Sequence, residues 1–399
     1  MKKDQKNLKE IIKFRQEKLD NIKKSGYNPY AYNYNKTHEI KTLLNKGEAG
    51  VGDKTSTAGR MVSFRKMGKA SFTHIQDEGG KIQIYIRNDL LPDNLYDDVV
   101  RKLDLGDIIG CTGVLFLTKM GELSIKADNL TILSKNIRPL PNLKEKEGES
   151  FNAFDDKELR YRHRQLDIIA NPEIINIFKT RAKIISSVRK YLDENQFIEV
   201  ETPVLQPIYG GASARPFTTF HNTLDQSFYL RIADELYLKR LIIGGFEKVY
   251  ELAKNFRNEG MDRNHNPEYT SLEYYQAYSD VYEMMDFTEN LIKYVAEQVD
   301  QIKFEFNGES INLSKSFNKQ SMFDLLKQYT DNDLSKMDGK ELLSFAKSKS
   351  LELKKGMNYG QVLDKIFGDL VEPHLIDPVF VTDYPKAISP LAKESRSGG

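Results

Sequence analysis

The spacing of apolar side chains divides the chain into stretches of different predicted structure. In residues 1–25 the apolar positions recur at loosely helical intervals, which predicts an amphipathic helix. Residues 26–54 show no clear period. Between about residues 55 and 135, short apolar runs alternate with polar positions, as they do in half-buried strands. From about residue 155 longer helical patterns are mixed with strands, which predicts one large α+β domain.

Short strands and one helix account for the second stretch. A turn signal at Gly79-Gly80 separates the second predicted strand from the third, and one at Met120-Gly121 separates the fourth from the fifth. The fourth and fifth strands are predicted to form a hairpin. A helical stretch at 95–102 precedes the fourth strand. The strands are predicted at residues 57–64, 70–77, 81–86, 107–118 and 122–133. Five strands with a helix before the fourth is the order of an OB-fold β-barrel.

The large domain is predicted to carry an antiparallel strand pair among long helices. Its predicted helices are 172–195, 234–244 and 281–299, and its predicted strands are 199–203, 227–232, 248–256 and 269–277. Residues 315–375 have a helical, Lys-rich pattern and are interpreted as an insertion. The predicted domains are a basic helical extension at 1–54, the barrel at 55–137, a linker at 138–154 and the large domain at 155–399.

Composition narrows the class of protein only a little. The net charge of the 399 residues is +1, and 29% of them are charged, a balance that neither supports nor excludes a nucleic-acid partner. The charge is uneven, because residues 1–24 hold nine Lys or Arg against four acids. The first helix is therefore either a solvated helix that packs on the body of the protein or a contact for an RNA backbone.

Cysteine content and hydropathy predict the compartment. Cys111 is the single cysteine, so the chain has no internal disulfide and suits a reducing compartment. No apolar run reaches the ~20 residues that a membrane span needs. The charged N-terminus lacks the apolar core of a signal peptide. We expect a cytoplasmic protein without a membrane partner.

Three side chains on neighbouring predicted strands of the barrel suit single-stranded RNA. Arg60 lies on the first strand, Phe72 on the second and Gln83 on the third. An OB-fold surface binds single strands by stacking bases on aromatic rings beside cationic groups. Core aromatics and solvated polar residues would give the same pattern, so the spacing alone leaves both interpretations open.

The sharpest chemical pattern lies on the antiparallel pair around residue 262. Arg257 ends the first strand and can hold a carboxylate or phosphate with two parallel hydrogen bonds. On the second strand Tyr269, Ser271, Glu273 and Tyr275 alternate onto one face. A carboxylate beside a phenol is a plausible wall for binding a cation. The alternative is a surface sheet with solvated charges.

A glycine-rich segment and a helix start complete the candidate chemistry. Residues 210–217 read Gly-Gly-Ala-Ser-Ala-Arg-Pro-Phe, and small residues let a backbone approach a ligand closely. The segment lacks the Gly-Lys-Ser/Thr ending of a P-loop, and an ordinary Gly-rich turn would explain it equally well. Asp234 is predicted to cap the next helix, and Glu235 falls in its first turn.

Together these motifs resemble class II aminoacyl-tRNA synthetases, and among them the lysyl-tRNA synthetases. The resemblance covers about residues 55–393. Residues 197–203, Phe-Ile-Glu-Val-Glu-Thr-Pro, resemble the Pro-ended motif 1, and 257–275 resemble motif 2. The segments at 162–167, 210–217 and 235–240 resemble the lysyl enzymes specifically. The resemblance implies an OB-fold anticodon-binding barrel followed by a class II catalytic domain with an antiparallel sheet.

The resemblance also implies an activity and a set of partners. The enzyme would activate L-lysine with ATP and Mg²⁺ to lysyl-adenylate and pass the lysyl group to tRNA(Lys). It would be a homodimer through motif 1. The remaining implications concern individual residues: Arg257 and Glu259 as catalytic; Gly211, Glu235, Glu273 and Tyr275 for lysine; Arg257, Glu259, His265, Asn266 and Tyr269 for ATP; Arg60, Phe72 and Gln83 for the anticodon.

The chain departs from the family pattern in three ways. Asn264 stands where the family usually has Arg, and Arg263 is expected to replace it. Asp234 stands where many relatives have Pro or Ser, a change expected to be neutral. The family continues beyond Gly399 with metal-binding carboxylates, a further lysine-pocket acid and motif 3. We therefore locate no metal ligands in the sequence and expect an incomplete catalytic domain, which leaves open whether this chain is active alone.

Two other functions compete with lysine–tRNA ligation. A synthetase remnant could keep the barrel as a non-catalytic RNA-binding protein. An aspartyl- or asparaginyl-type ligase would share the architecture, although the segment at 210–217 and the wall of Glu273 and Tyr275 argue against it.

Overall fold

The computed structural model describes residues 2–141, 143–146, 149–152, 156–262, 264–389 and 392–393, with side chains given from residue 8 and not for 143–152. The chain forms two compact units, Met1–Phe178 and Lys179–Gly399. Arg263, expected to replace a motif 2 arginine, lies outside the described residues. Among the helices that are described, none combines the length and apolar character required to cross a bilayer.

The first unit is built on a closed barrel of five strands. Its elements are α1 (Lys2–Lys24), α2 (Ile40–Lys46), β1 (Lys54–Met67), β2 (Ala70–Asp77), β3 (Gly80–Arg87), α3 (Leu95–Asp98), β4 (Ile108–Leu117), β5 (Leu123–Ser134), β6 (Leu143–Lys146), β7 (Glu149–Asn152), α4 (Lys157–Arg162), α5 (Arg164–Ala170) and α6 (Ile174–Glu194), which continues into the second unit. The barrel order is β1-β2-β3-β5-β4. The predicted five-stranded OB-fold barrel is confirmed.

Strict alternation of burial along β2 and β3 gives the barrel a filled interior and a polar exterior. Ile75, Ile82, Ile84 and Ile86 point inward and are buried, while the residues between them are half-exposed. A strand places successive side chains on opposite faces, so the outward set is as regular as the core. Barrel closure leaves no free strand edge, and binding chemistry is therefore confined to the outward side chains.

Helix α1 packs on the barrel unit through both apolar and charged contacts. Leu19 and Ile22 are buried. Lys18 donates to Asp104 at 2.5 Å, and the buried Lys135 donates to the same carboxylate at 2.6 Å. The interpretation of this segment as a helix packed on the body is supported. A contact of its remaining cations with RNA stays a prediction.

The segment at 138–154, predicted as a linker, contains a two-stranded ladder at 143–152. β6 pairs antiparallel with β7 from Leu143↔Asn152 to Lys146↔Glu149. Prolines and charges at 138–149 hid this pairing from the sequence pattern, since four-residue strands are too short to produce a clear alternation.

The second unit contains three-stranded sheets and a helical subregion. Its further elements are β8 (Ile198–Glu199), β9 (Leu205–Gln206), β10 (Thr218–His221), β11 (Gln226–Leu230), α7 (Glu235–Ile243), β12 (Lys248–Phe256), β13 (Glu268–Gln276), α8 (Val281–Gln298), β14 (Lys303–Phe306), β15 (Glu309–Asn312), β16 (Asn318–Ser321), α9 (Met322–Thr330), α10 (Gly339–Ser348), α11 (Tyr359–Leu370) and β17 (Val379–Thr382). The described strands pair as β13-β12-β8 and β10-β11-β9, with smaller pairs β14-β15 and β16-β17. Helices α9, α10 and α11 share a hydrophobic core of their own.

The strand predicted at 199–203 is wrong in its extent. β8 pairs with β12 only at Ile198 and Glu199, and the last ladder contact is the Val200 N–H donating to Tyr250 at 2.9 Å. Thr202 instead donates its N–H to the Glu251 carboxylate at 3.2 Å. Pro203 has no N–H to give, so the chain leaves the sheet here.

Candidate active site and nucleic-acid surface

The pairing of β12 with β13 gathers the candidate catalytic residues on one face of the sheet. Glu251 lies opposite Glu273, and Asn255 lies opposite Tyr269, in an unbroken antiparallel register. Residues two apart on a strand share a face. We call this face the active face; its members are Glu251, Ala253, Asn255, Arg257, Tyr269, Ser271, Glu273 and Tyr275. Helix α7 packs against both strands.

Arg257 holds one end of the active face with part of its guanidinium available. Its backbone N–H donates to Pro267 at 2.8 Å and fixes the end of β12. Its side chain lies over the Tyr269 ring, 5.3 Å from the centroid. The buried Nε of Arg257 has no hydrogen-bond partner among the described residues. A buried cationic N–H group without a hydrogen-bond partner favours binding of an anion.

The other end of the active face is acidic. The Tyr275 hydroxyl donates to Glu273 at 3.1 Å. Burial, followed by the neighbouring Asp234 carboxyl, raises the pKa of Glu273 to about 7. Burial and the adjacent Glu273 also raise the pKa of Tyr275, so its phenol keeps its proton as a donor. The predicted wall of Glu273 and Tyr275 exists as a hydrogen-bonded pair.

Gly211 and Glu235, distant from each other in sequence, are neighbours beside this wall. Gly211 has a φ of +86°, a conformation that other residues rarely adopt, and a Cβ there would lie 3.0 Å from the Glu235 Cβ. Glu235 accepts from Lys239 at 2.6 Å, one turn along α7. The glycine therefore allows the backbone of the 210–217 segment to lie against the start of α7.

Asp234 does not cap α7 as the sequence predicted. The structure shows no capping bond from its side chain. Its carboxylate instead turns toward β12 and accepts from the Asn255 amide at 3.1 Å. The tertiary contact with the sheet thus overrides the local capping preference.

The loop between β12 and β13 closes on itself and opens onto a cleft. Asp262 accepts the backbone N–H groups of Asn264 and His265 at 2.7 and 2.8 Å, which together with the His265 ring lower the pKa of Asp262. Glu259, His265 and Asn266 are exposed. A cleft of about 650 Å³ is lined by this loop and the 210–217 segment: Tyr209, Ser213, Ala214, Arg215, Pro216, Asn258, Glu259 and Gly260. The Asn258 N–H donates to Arg215 at 2.8 Å and joins its two walls.

The barrel exterior carries a row of stacked aromatic rings. Phe72 stacks on Tyr85 with centroids 4.7 Å apart, and Tyr85 lies 6.0 Å from Phe116. Gln83 is the next outward residue on β3 after Tyr85. Its amide donates to Glu122 at 2.8 Å. We call Phe72, Tyr85, Phe116 and Gln83 the aromatic row.

Arg60 lies apart from the aromatic row. It pairs with Gln76, two outward positions along β2 from Phe72. Its guanidinium donates to the Gly106 carbonyl at 2.8 Å, and burial lowers its pKa. The structure therefore brings Phe72 and Gln83 together and leaves Arg60 at the far end of the same face.

Comparison with known proteins places both units in one family. A family model described as tRNA synthetases class II (D, K and N) matches residues 156–399, and one described as OB-fold nucleic acid binding domain matches 55–133. The lysine–tRNA ligase of Carboxydothermus hydrogenoformans is 46% identical over 98% of this chain and 78% of its own length. Those of Thermoanaerobacter pseudethanolicus and Moorella thermoacetica are 46% and 43% identical, over 97% of this chain and 76% and 78% of their own lengths.

The chain belongs to the class II tRNA synthetases, within the family of lysine–tRNA ligases.

For this family of enzymes the structure adds residues that the sequence pattern missed. Tyr85 and Phe116 extend the aromatic row beyond Phe72. Outward alternation on β3 could have identified Tyr85, since it is two residues from Gln83. The proximity of Phe116 depends on barrel closure and has no local sequence signal.

A buried ion pair that includes Glu251 of the active face was also missed. Arg231 and Glu251 are only about 4% exposed and meet at 2.7 Å. Arg231 also donates to the carbonyl of Lys254 at 2.9 Å, and Glu251 accepts the Thr202 hydroxyl at 2.6 Å. The pair thus ties the end of motif 1 to β12 and to the segment that enters α7.

Removal of the Arg231 charge is expected to destabilise the second unit strongly. Arg231→Met leaves Glu251 buried without its cation, which costs about 3–5 kcal/mol. Denaturant unfolding of the second unit, followed by hydrogen exchange in β12, measures the change. The double variant Arg231→Met/Glu251→Met should recover much of the loss. A double variant no more stable than the single one would contradict this account of the pair.

Proposed function

We propose that the chain activates L-lysine with ATP and transfers the lysyl group to tRNA(Lys). The observation that carries the proposal is the acidic wall of Glu273 and Tyr275 at one end of the active face, with Arg257 at the other. Lysine is an amino acid with a cation at the end of its side chain and a carboxylate at the reacting end, so it matches this polarity. The names of the relatives agree with it.

In the proposed complex each end of lysine meets a group of opposite character. Glu273 and Tyr275 would bind the side-chain ammonium. Gly211, through its backbone carbonyl, and Glu235 would receive the α-ammonium. Arg257 would hold the carboxylate and the α-phosphate of ATP together with two parallel hydrogen bonds. The arrangement fixes the reacting oxygen next to the phosphorus, and positioning of this kind contributes much of catalysis.

The chemistry that follows needs no covalent enzyme intermediate. A lysine carboxylate oxygen attacks the α-phosphorus, the bond to the bridging oxygen breaks, and pyrophosphate leaves. A ribose hydroxyl of the tRNA then attacks the lysyl carbonyl, and AMP leaves. Arg257 would neutralise the charge that develops at the α-phosphate. Tyr269 would stack on adenine, while Glu259, His265 and Asn266 would contact ATP from the exposed loop.

Magnesium is implied by the family, but the residues present do not fit a complete site for it. Among the residues that the structure describes, no three His, Cys, Asp or Glu side chains are grouped to hold a metal ion. We therefore assign magnesium no step in this mechanism.

Binding of adenylate analogues tests the proposed substrate. The non-hydrolysable sulfamoyl analogue of lysyl-adenylate should bind the chain, while the aspartyl and asparaginyl analogues should not, as calorimetry would measure. Glu273→Gln should weaken binding of the lysyl analogue about tenfold to hundredfold, because the ammonium loses a charged partner. Glu268→Gln, on the opposite face of β13, is the matched control.

Each unfavourable outcome of this experiment has a different meaning. Unchanged binding by Glu273→Gln would exclude its role in the lysine pocket. Preferential binding of the aspartyl or asparaginyl analogue would identify a different ligase of the same architecture. If no analogue binds while RNA does, a non-catalytic RNA-binding protein is the better description. Lysine-dependent exchange of pyrophosphate into ATP then measures turnover.

The aromatic row is proposed as the surface that binds the anticodon, with Arg60 as a contact at its far end. We expect Phe72→Ala to lower the affinity for tRNA(Lys) by ~1–3 kcal/mol, because a base loses its stacking partner. Filter binding or fluorescence anisotropy measures the effect. Tyr32→Ala removes a fully exposed aromatic ring that is not part of the row, and it should have no effect. Equal losses in the two variants would contradict the assignment.

A homodimer through motif 1 is supported by exposed apolar side chains around it. Ile198 and Leu205 are about half exposed, and Ile208 more so. Apolar side chains clustered on a surface indicate an interface. We expect a dimer at micromolar concentration in sedimentation experiments and a shift to monomer in Ile198→Lys. A wild-type monomer would contradict the proposal. Because tRNA charging serves translation, we infer a cytoplasmic location.

A further inference from the structure

Asp234 is a buried carboxylate whose hydrogen bonding is incomplete. The residue is 0% exposed, and one oxygen accepts from the Asn255 amide at 3.1 Å. The second oxygen, Oδ2, is buried and has no partner within the part of the chain that the structure describes. The Asn255 amide oxygen is in the same condition. Burying a carboxylate without partners is costly, so this arrangement calls for a proton or a cation.

The neighbouring group is Glu273 of the proposed lysine pocket. Its only hydrogen-bond donor among the described side chains is the Tyr275 hydroxyl at 3.1 Å. The Asn255 amide that donates to Asp234 also donates to the Ser271 hydroxyl at 2.7 Å, and Ser271 is two residues from Glu273 on the active face. The nearby Asp234 carboxyl adds to burial in raising the pKa of Glu273 to about 7. Two neighbouring buried carboxyl groups resist ionising together, because the first negative charge repels the second.

The charged groups packed around this pair do not neutralise it. On β12, Glu251 is already paired with Arg231 at 2.7 Å. On α7, Lys239 is paired with Glu235 at 2.6 Å and lies over the Tyr275 ring, 5.8 Å from its centroid. Arg257 lies at the opposite end of the active face. Within the described ranges no ion pair reaches Asp234 or Glu273, which leaves the two carboxyl groups open to a cation from a ligand.

We propose that Asp234 and Glu273 share one proton in the ligand-free protein, and that the side-chain ammonium of bound lysine replaces it. The bound proton goes to solvent, and the ammonium N–H groups take over the hydrogen bonding to both carboxylates. The inference rests on the proposed function, because it takes Glu273 as the ammonium site. It makes Asp234 a specificity residue and replaces the expectation that this departure from Pro or Ser is neutral.

Two consequences distinguish the shared proton from an ordinary acidic pocket. A ligand with a terminal ammonium releases a proton when it binds, whereas an isosteric ligand without one leaves the proton in place. Lysine affinity therefore rises with pH through the range in which the free pair loses its proton. For one proton released near pH 7, affinity increases about tenfold between pH 6 and pH 8.

The first experiment counts protons during lysine binding. Calorimetry at pH 6 in buffers of different ionisation enthalpy should give release approaching one proton per lysine, and none with norleucine at whatever affinity norleucine has. Asp234→Ser and Asp234→Asn should bind lysine with little proton release and with a nearly flat pH dependence. Two substitutions are used so that a folding defect in one does not prevent the comparison. Full proton release by both variants would overturn the role of Asp234.

The second experiment needs no ligand. A carboxyl with a raised folded pKa binds more protons in the native than in the unfolded state between its two pKa values, so stability falls as pH rises through that window. Here the window runs from the ordinary glutamate value to about 7. Glu273→Gln cannot ionise at this position and so avoids the fall in stability. The difference in melting temperature, variant minus wild type, should therefore increase from pH 5 to pH 7.5. Glu268→Gln is the control and should parallel the wild type.

The outcomes separate this inference from the proposed function. Lysine binding without proton release, together with a pH-independent stability difference, would overturn the shared proton and leave lysine activation intact. A widening stability difference without lysine binding would support the shared proton and refute lysine as its ligand. Both effects together support the inference as stated.

Discussion

The antiparallel register of β12 with β13 is the constraint on which the candidate site depends. With Glu251 opposite Glu273, every second residue of both strands points toward α7. A slip of one residue would turn all these side chains to the other face, because the side-chain period of a strand is two. The buried Arg231–Glu251 pair anchors β12 to the end of motif 1. The structural ion pair and the candidate site therefore share strand β12.

The charges on this face fall into two classes with different consequences. Arg231 and Glu251 are mutually neutralised, further hydrogen-bonded and inaccessible, as expected of a pair that supports the fold. Asp234, Glu273 and Arg257 have buried or half-buried polar groups that remain incompletely satisfied. Unsatisfied groups reduce stability. These unsatisfied groups lie on one face because, in our proposal, the bound lysine and ATP supply their missing hydrogen-bond partners.

In the barrel unit, closure of the sheet likewise separates residues that form the core from residues that are available for binding. Inward positions of β3 are filled by isoleucines, and those of β2 by Ser71, Thr73 and Ile75, so these positions form the buried core. Stacked rings and amide groups are left on the outside, where Tyr85 lies between Phe72 and Phe116. Rings already held in a row lose little freedom when a base stacks on them, which favours binding of single-stranded RNA.

The sequence alone was sufficient for features with a local period. Alternation predicted the five barrel strands and the one-face placement of Tyr269, Ser271, Glu273 and Tyr275, because a strand repeats every two residues wherever it lies. The family resemblance came from motifs that are contiguous in sequence. Tertiary structure decided what depends on contacts between distant residues: the early end of β8 at Glu199, the turning of Asp234 from a cap toward Asn255, the pairing of Arg231 with Glu251, and the approach of Phe116 to Tyr85. These contacts arise from burial and from long-range hydrogen bonding, which no local pattern encodes.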